Sequence, residues 1–388
     1  MPATKASWTA VLTVAVGAFA LVTAEFLPVG LLPRIVADIG VTEGQAGLMV
    51  TIPGLVAAVT APTTLALAGR LDRRLVLCVL MGLLLASSVI VAAASAFPAL
   101  LVGRVLLGVG VGAFWTIGGP IGPRLRPEGA RATSIIYSGI SAGTVAGLPA
   151  GALLGTYLDW RSAFIATAVL AAVVAAALLA FLPPVPAQPG SGIRSVPAVL
   201  RLRTVRIGLI AVVLGFGGHF AAYTYIAPTL ATAAQIDGPA LSAVLLVFGV
   251  AGFIGNIVAG WATQRALRTT VITTNGLLGV SIVALVLAGS NPIIAIAAVT
   301  AWGLAFGMVP IAMQTLLFSA DPDRLESIAA VFVCVAQTSI GSGALFGGLL
   351  VDHFGLSAAL LTGAAGALLS AATIHTSIRS PSERKVVS

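Results

Sequence analysis

The sequence predicts an all-α, polytopic membrane protein with twelve transmembrane helices in two pseudo-symmetric six-helix bundles. Three observations predict it. The first is composition: 59% of the 388 residues are apolar, 8% are charged, and mean hydropathy is +1.09. A soluble domain carries roughly 25% charged residues, so this chain lacks the charge to cover a soluble surface. The same balance excludes a disordered chain. The second is run length. The apolar runs suit helices, which need about 20 apolar residues to cross a bilayer, and they lack the alternating polarity of barrel strands. The third is the placement of Lys and Arg, nearly all of which fall on one side of the resulting helices.

Span 1 covers residues 8–32. Lys5 precedes it and no small-residue cleavage site ends it, so it reads as a retained helix rather than a signal peptide. Spans 2 to 6 follow at 44–68, 75–95, 98–123, 132–156 and 163–183, broken at charged and proline clusters. Segment 184–204, rich in Pro, Gly and Ser and then basic, suits a flexible linker followed by a stretch lying on the membrane surface. Spans 7 to 12 are expected at 205–232, 241–262, 270–289, 293–318, 327–351 and 357–376. The expected organisation is therefore an N-terminal bundle (1–183), a cytoplasmic linker (184–204) and a C-terminal bundle with a short cytoplasmic tail (205–388).

With the N-terminus inside, seventeen of the 20 Lys and Arg lie in inside segments. Arg34 and Arg161 lie outside, and Arg104 falls within a span. This bias sets the orientation and places both termini and the linker in the cytoplasm. The halves echo each other. Glu25-Phe26-Leu27-Pro28 in span 1 pairs with Tyr225-Ile226-Ala227-Pro228 in span 7, and Gly108 and Gly112 in span 4 pair with Gly303 and Gly307 in span 10. Two related halves are a transporter pattern, with the substrate site near the midplane.

Glu25 is a carboxylate inside a span, where charge is costly unless protonated or paired. It lies ~10 Å from the outer end of span 1, and Arg104 lies ~9 Å from that of span 4, at 1.5 Å per residue. The similar depth predicts that the two are coupled. A proton on Glu25 would remove its attraction to Arg104 and act as a switch; a static ion pair is the other use of the same residues. His219, near the middle of span 7, can donate, accept and titrate. Tyr223 shares its helix face and Tyr225 follows. These residues read either as a polar, aromatic patch facing substrate or as an interhelical fastener. Trp115, Asn256, Trp302 and Gln337 carry the same two readings: amides and indoles can hold or stack a flat, neutral solute, and they also glue helices together.

Gly108, Gly110 and Gly112 sit in a span with no strand-to-helix context, so close helix packing explains them better than a phosphate loop. Gly139, Gly143, Gly147, Gly151 and Gly155 recur every fourth residue in span 5 and make one smooth face for a neighbouring helix, which Pro149 is expected to kink. Cys78 and Cys334 lie in apolar runs and indicate no disulfide framework. No metal spacing, P-loop or nucleophile triad can be read, so no cofactor, metal, nucleic-acid partner or enzymatic activity is expected.

Gly69-Arg70-Leu71-Asp72-Arg73-Arg74, between spans 2 and 3, resembles the signature loop of the major facilitator superfamily at Gly69, Asp72 and Arg73. Arg104-x-x-x-Gly108-x-Gly110 is similar to that family's fourth-span motif, whose arginine is linked to proton coupling. The run Gly147-Leu148-Pro149-Ala150-Gly151 looks like its antiporter motif, with Leu148 inserted. Ala24–Leu32 resembles the first span of the twelve-span drug–proton antiporters. Gly112–Trp115, Asp159–Phe164 and His219–Ile226 are similar to bacterial purine ribonucleoside efflux pumps. The resemblance implies an antiporter working by alternating access. Glu25 and Arg104 would couple the proton, and Gly69, Asp72 and Arg73 would form a gating loop. Gly143, Gly147, Pro149 and Gly151 would form the antiporter helix. His219, Tyr223, Tyr225, Trp115, Asn256, Trp302 and Gln337 would meet the substrate. The partners expected are a small-molecule substrate, protons and the lipid bilayer, with the chain working as a monomer. Purine nucleosides or related flat compounds lead. A drug or sugar exporter is the rival within the class, and a membrane receptor or enzyme the rival outside it. With no second mid-span carboxylate to meet a cation, neutral or weakly acidic solutes fit better than basic drugs.

Overall fold

The computed structural model describes residues 8–67, 71–118, 121–126, 142–186, 196–288, 290–321 and 324–377, together with 132, 135, 136, 138 and 139. Among them, ten helices are long and apolar enough to cross a membrane. One of these, Gly238–Ala288, leaves helical geometry at Ala266 (φ −149°, ψ 67°) and is spans 8 and 9 end to end. Of span 5 the described residues include the turn Gly143–Gly147 and the helix Leu148–Tyr157. The chain divides into two compact units, Met1–Ser191 and Gly192–Ser388.

In the first unit, span 1 runs from Trp8 to Ile39. Its expected end at residue 32 is corrected outward by two turns. A proline removes only one intrahelical bond, so Pro33 does not end the helix. Arg34 is accommodated because its guanidinium donates to the Thr156 hydroxyl at 3.2 Å. Spans 2, 3, 4 and 6 are the helices Glu43–Leu67, Arg73–Ala93, Phe97–Ile117 and Trp160–Phe181. Span 4 lies along span 2, span 3 against spans 4 and 6, and span 1 against spans 2, 5 and 6. Spans 3 and 6 leave Val79, Val89, Ile165, Val169 and Val173 more than half exposed or close to it. In a bilayer these side chains face lipid tails as apolar as themselves.

Arg34 and Arg161, the two basic residues outside the inside bias, are both engaged. The Arg161 guanidinium meets Asp38 at 2.6 Å, donates to the Ala94 carbonyl at 3.0 Å and lies over the Trp160 ring. The loop between spans 2 and 3 is clasped too, although Gly69 lies outside the described residues. The Asp72 carboxylate caps span 3 by accepting from the Arg74 amide at 2.7 Å, and it also accepts from the Val185 amide at 3.1 Å. The Arg73 amide donates to the Val185 carbonyl at 2.9 Å, and the Arg74 guanidinium donates to the Leu179 carbonyl. Asp72 thus ties the start of span 3 to the chain leaving span 6. Asp72→Ala is expected to cost about 1 kcal/mol for the cap and about 1–3 kcal/mol for the stranded Val185 amide. Asp72→Asn, which keeps an acceptor, should retain most of that. Thermal unfolding of the two purified variants checks the order.

In the second unit, span 7 is not one helix but two, Arg203–Tyr223 and Ile226–Ala233, separated at Thr224 and Tyr225. Spans 10, 11 and 12 are Pro292–Phe318, Leu325–Phe354 and Leu356–Ser377. Span 7 packs against spans 11 and 12, and span 10 against span 8. The internal echo holds at the level of contacts. Gly108 and Gly112 of span 4 press on the main chain of Pro53 and Ala57 in span 2. Gly303 and Gly307 of span 10 press on that of Phe248 and Gly252 in span 8. The same step in sequence relates all four pairs of positions. Helix backbones can come this close only where no side chain intervenes.

Candidate functional site

Two sites emerge, one in each unit. The first is built on span 4. Arg104 is 1% exposed, and all three of its hydrogen bonds end on main-chain carbonyls. Nε donates to Met49 at 2.6 Å, Nη1 to Ala24 at 2.7 Å and Nη2 to Glu25 at 2.6 Å. The sequence expects Glu25 and Arg104 to lie at one depth and be coupled; the hydrogen bond from the guanidinium to Glu25 ends on its carbonyl. Sequence spacing fixes depth along a helix but not which atom is reached. A buried guanidinium is stable only with such charge-assisted bonds. Glu25 is itself buried and lines a small cavity with Ala18, Leu21, Val22, Val111, Phe114 and Trp115. The space open to a water's centre is about 10 Å³, enough for roughly one water.

The span 5 glycine face lies on span 1. Gly143 meets Phe19 and Val22, Gly147 meets Thr23, Gly151 meets Leu27 and Gly155 meets Leu31. Near Pro149 the helix is not simply kinked: residues Gly143–Gly147 form a π-helical turn just before it. Pro149 cannot serve the carbonyl of Val145, which lies within that turn, and a widened turn is one way to absorb the missing bond. The segment of span 1 around Glu25 is therefore held by span 4 through Arg104 and by span 5 through glycine.

The second site is a ring stack on spans 7, 8 and 10. His219 is fully buried, between Phe306 (centroids 3.4 Å apart, planes 1°) and Tyr223 (4.9 Å, 19°). Tyr223 stacks in turn on Phe248 at 5.0 Å. Trp302 comes edge-on and donates its indole N–H to His219 Nδ1 at 3.0 Å. A ring nitrogen that accepts carries no proton, so the histidine is the neutral tautomer with its hydrogen on Nε2. That Nε2 is buried with no hydrogen-bond partner among the described residues. A cationic imidazolium would set two N–H groups against each other at Nδ1. Phe216 joins the cluster by edge contacts to Phe306 and to Phe332 of span 11. Five residues beyond Phe332 on the same helix lies buried Gln337, whose Nε2 also has no partner among the described residues.

The structure thus brings together three residues that the sequence singles out, His219, Tyr223 and Trp302. Tyr225 stands apart, because its hydroxyl donates to the Ala344 carbonyl of span 11 at 3.0 Å and fastens that helix. Asn256 is half-buried on span 8, two turns beyond Phe248, and Trp115 belongs to the first site. Sequence reasoning missed Phe248 and Phe306, since an apolar ring inside a span has no signal that separates a platform from ordinary core. It also passed over Asn275 of span 9, fully buried with its Oδ1 unpartnered among the described residues; a mid-span amide was the available signal.

Comparison with known proteins agrees with this architecture. Residues 14–342 match the family model of the Major Facilitator Superfamily. Over 377 residues the chain is 33% identical to the purine ribonucleoside efflux pump NepI of Salmonella paratyphi A, covering 97% of this chain and 95% of that protein. The NepI of Salmonella typhimurium matches to the same extent. In structure, the human organic anion transporter MFSD10 (TETRAN) superposes with a TM-score of 0.66, covering 96% of this chain and 100% of that one at 16% identity, a likeness of fold. With the family model covering most of its length and its multi-pass helices, this chain belongs to the major facilitator superfamily.

Proposed function

We propose that the protein exports a small, uncharged, planar solute, a purine nucleoside foremost, in exchange for protons across the bacterial cytoplasmic membrane. The observation that carries the reading is His219, a neutral donor inside a stack of rings, in a chain similar over nearly its whole length to purine ribonucleoside efflux pumps. A flat heterocycle offers a π-face to Tyr223 and Trp302 and an acceptor to His219 Nε2–H. Gln337 can add a second donor. Glu25 carries the proton: Arg104 bonds its carbonyl, and Glu25 lines a cavity that admits about one water. The Asp72 clasp steadies the cytoplasmic loop, and the glycine face of span 5 lets span 1 shift by alternating access. Both termini are read as cytoplasmic and the working unit as one chain.

The test uses purified protein in proteoliposomes with a trapped pH dye. Inosine, guanosine, an arabinoside and chloramphenicol are added in turn. Proton movement evoked by the nucleosides and absent in Glu25→Gln is the expected result. A response to the arabinoside or chloramphenicol alone would move the assignment to sugars or drugs. Normal pH-gradient-driven export by Glu25→Gln would remove Glu25 as carrier.

A further inference from the structure

Proline lacks an N–H and cannot serve the carbonyl four residues before it in a helix. Span 1 holds Pro28 and span 2 holds Pro53 inside their helices. The carbonyls they leave are those of Ala24 and Met49. These are two of the three that Arg104 fills, at 2.7 Å and 2.6 Å. The third bond goes to the next carbonyl in line, that of Glu25. One planar fork thus stands in for a missing backbone donor in each of two neighbouring helices. Bulk water is absent inside the bilayer, so a carbonyl left unserved by proline needs another donor, and here one arginine serves two of them.

The second half provides an internal comparison. Pro228 in span 7 occupies the place of Pro28 and leaves the carbonyl of Thr224. The glycine contacts that align span 10 with span 4 put Val299 where Arg104 stands. Valine has nothing to donate. Span 7 breaks at Thr224 and Tyr225, whereas span 1 passes Ala24 and Glu25 as one continuous helix.

The geometry points to Arg104 as a positioning residue that acts on main chain. It joins spans 1 and 2 across the gaps left by Pro28 and Pro53 and so fixes where Glu25 stands. Its charge strengthens the bonds, but the shape of the guanidinium is what the role requires. Lysine keeps the charge and brings one nitrogen to three carbonyls.

The experiment compares full-length wild type with Arg104→Lys, with Arg104→Lys in a Pro28→Ala, Pro53→Ala background, and with Arg104→Lys plus Glu25→Gln. Thermal unfolding, nucleoside exchange and the pH profile of exchange are read for each. Arg104→Lys is expected to melt lower and to lose exchange by about tenfold or more, the factor that goes with one charge-assisted bond. Restoring the two amides should recover most of the melting temperature and return the pH profile towards that of wild type. Glu25→Gln should recover neither. Wild-type behaviour of Arg104→Lys overturns the inference, because charge alone would then suffice. Rescue by Glu25→Gln and not by the alanines also overturns it. If Arg104→Lys yields no folded protein, recovery of folded protein by the two alanines supports the inference and continued failure with them counts against it. The pH readout rests on Glu25 as proton carrier; the melting series does not, so the two readings fail separately.

Discussion

Gly307→Val is expected to prevent the protein from accumulating in the membrane in folded form. A side chain at Gly307 would fall on the Gly252 carbonyl of span 8, with the main chain of Gly252 behind it. Backbone cannot swing aside as a flexible side chain can. Ordinary overpacking costs about 1–3 kcal/mol; parting two helices that also meet at Gly255 and Gly303 costs more, within reach of the roughly 5–15 kcal/mol that holds a typical domain together. Gly260→Val is the control. It lies on the same span 8, and nothing stands within 4 Å of its added carbon. Size-exclusion profiles of fluorescently tagged protein should show a monodisperse peak for Gly260→Val and none for Gly307→Val. A normal peak for Gly307→Val would mean that spans 8 and 10 do not pack at this register.

Trp302→Ala is expected to be the most damaging change in the ring stack. Trp302 is fully buried, and truncating such a ring costs about 3–5 kcal/mol. It also strands His219 Nδ1, which then has no donor to accept from. Trp302→Phe separates the two effects. It keeps most of the packing and removes only the N–H that holds histidine in its neutral tautomer. Trp302→Phe should therefore fold but lose export of the proposed solute, because the imidazole is then free to change tautomer and withdraw the Nε2 hydrogen offered to it. Export of Trp302→Phe that matches wild type from acid to neutral pH would show that the tautomer does not matter to transport. Histidine NMR shifts of the two proteins would report the ring state directly.

Much of this was legible in the residues. Run length and composition gave the spans because the bilayer imposes one length and one polarity on every helix that crosses it. The repeat of Gly108 and Gly112 at Gly303 and Gly307 foretold a shared packing register, because a glycine pair matters only through what lies against it. Glu25, Arg104 and His219 stood out because polar groups are costly in a span. Other features were not legible. Span 1 runs past Pro33, and Arg34 near its outer end reaches Thr156 far along the chain. Tyr225 looked like part of the histidine patch, yet the break at Thr224 turns it towards Ala344.

The sequence by itself determined that this is a membrane protein of paired halves, and which few polar residues lie inside it. Those properties follow from solvation, which each residue carries with it. Only the tertiary structure decided what each polar group touches: that Arg104 reaches carbonyls in two other helices, that His219 accepts from Trp302, and that Phe306 and Tyr223 enclose it. Hydrogen bonds and ring stacks depend on distances of a few tenths of an ångström between residues far apart in the chain. No local pattern encodes those distances; they are set when the helices pack.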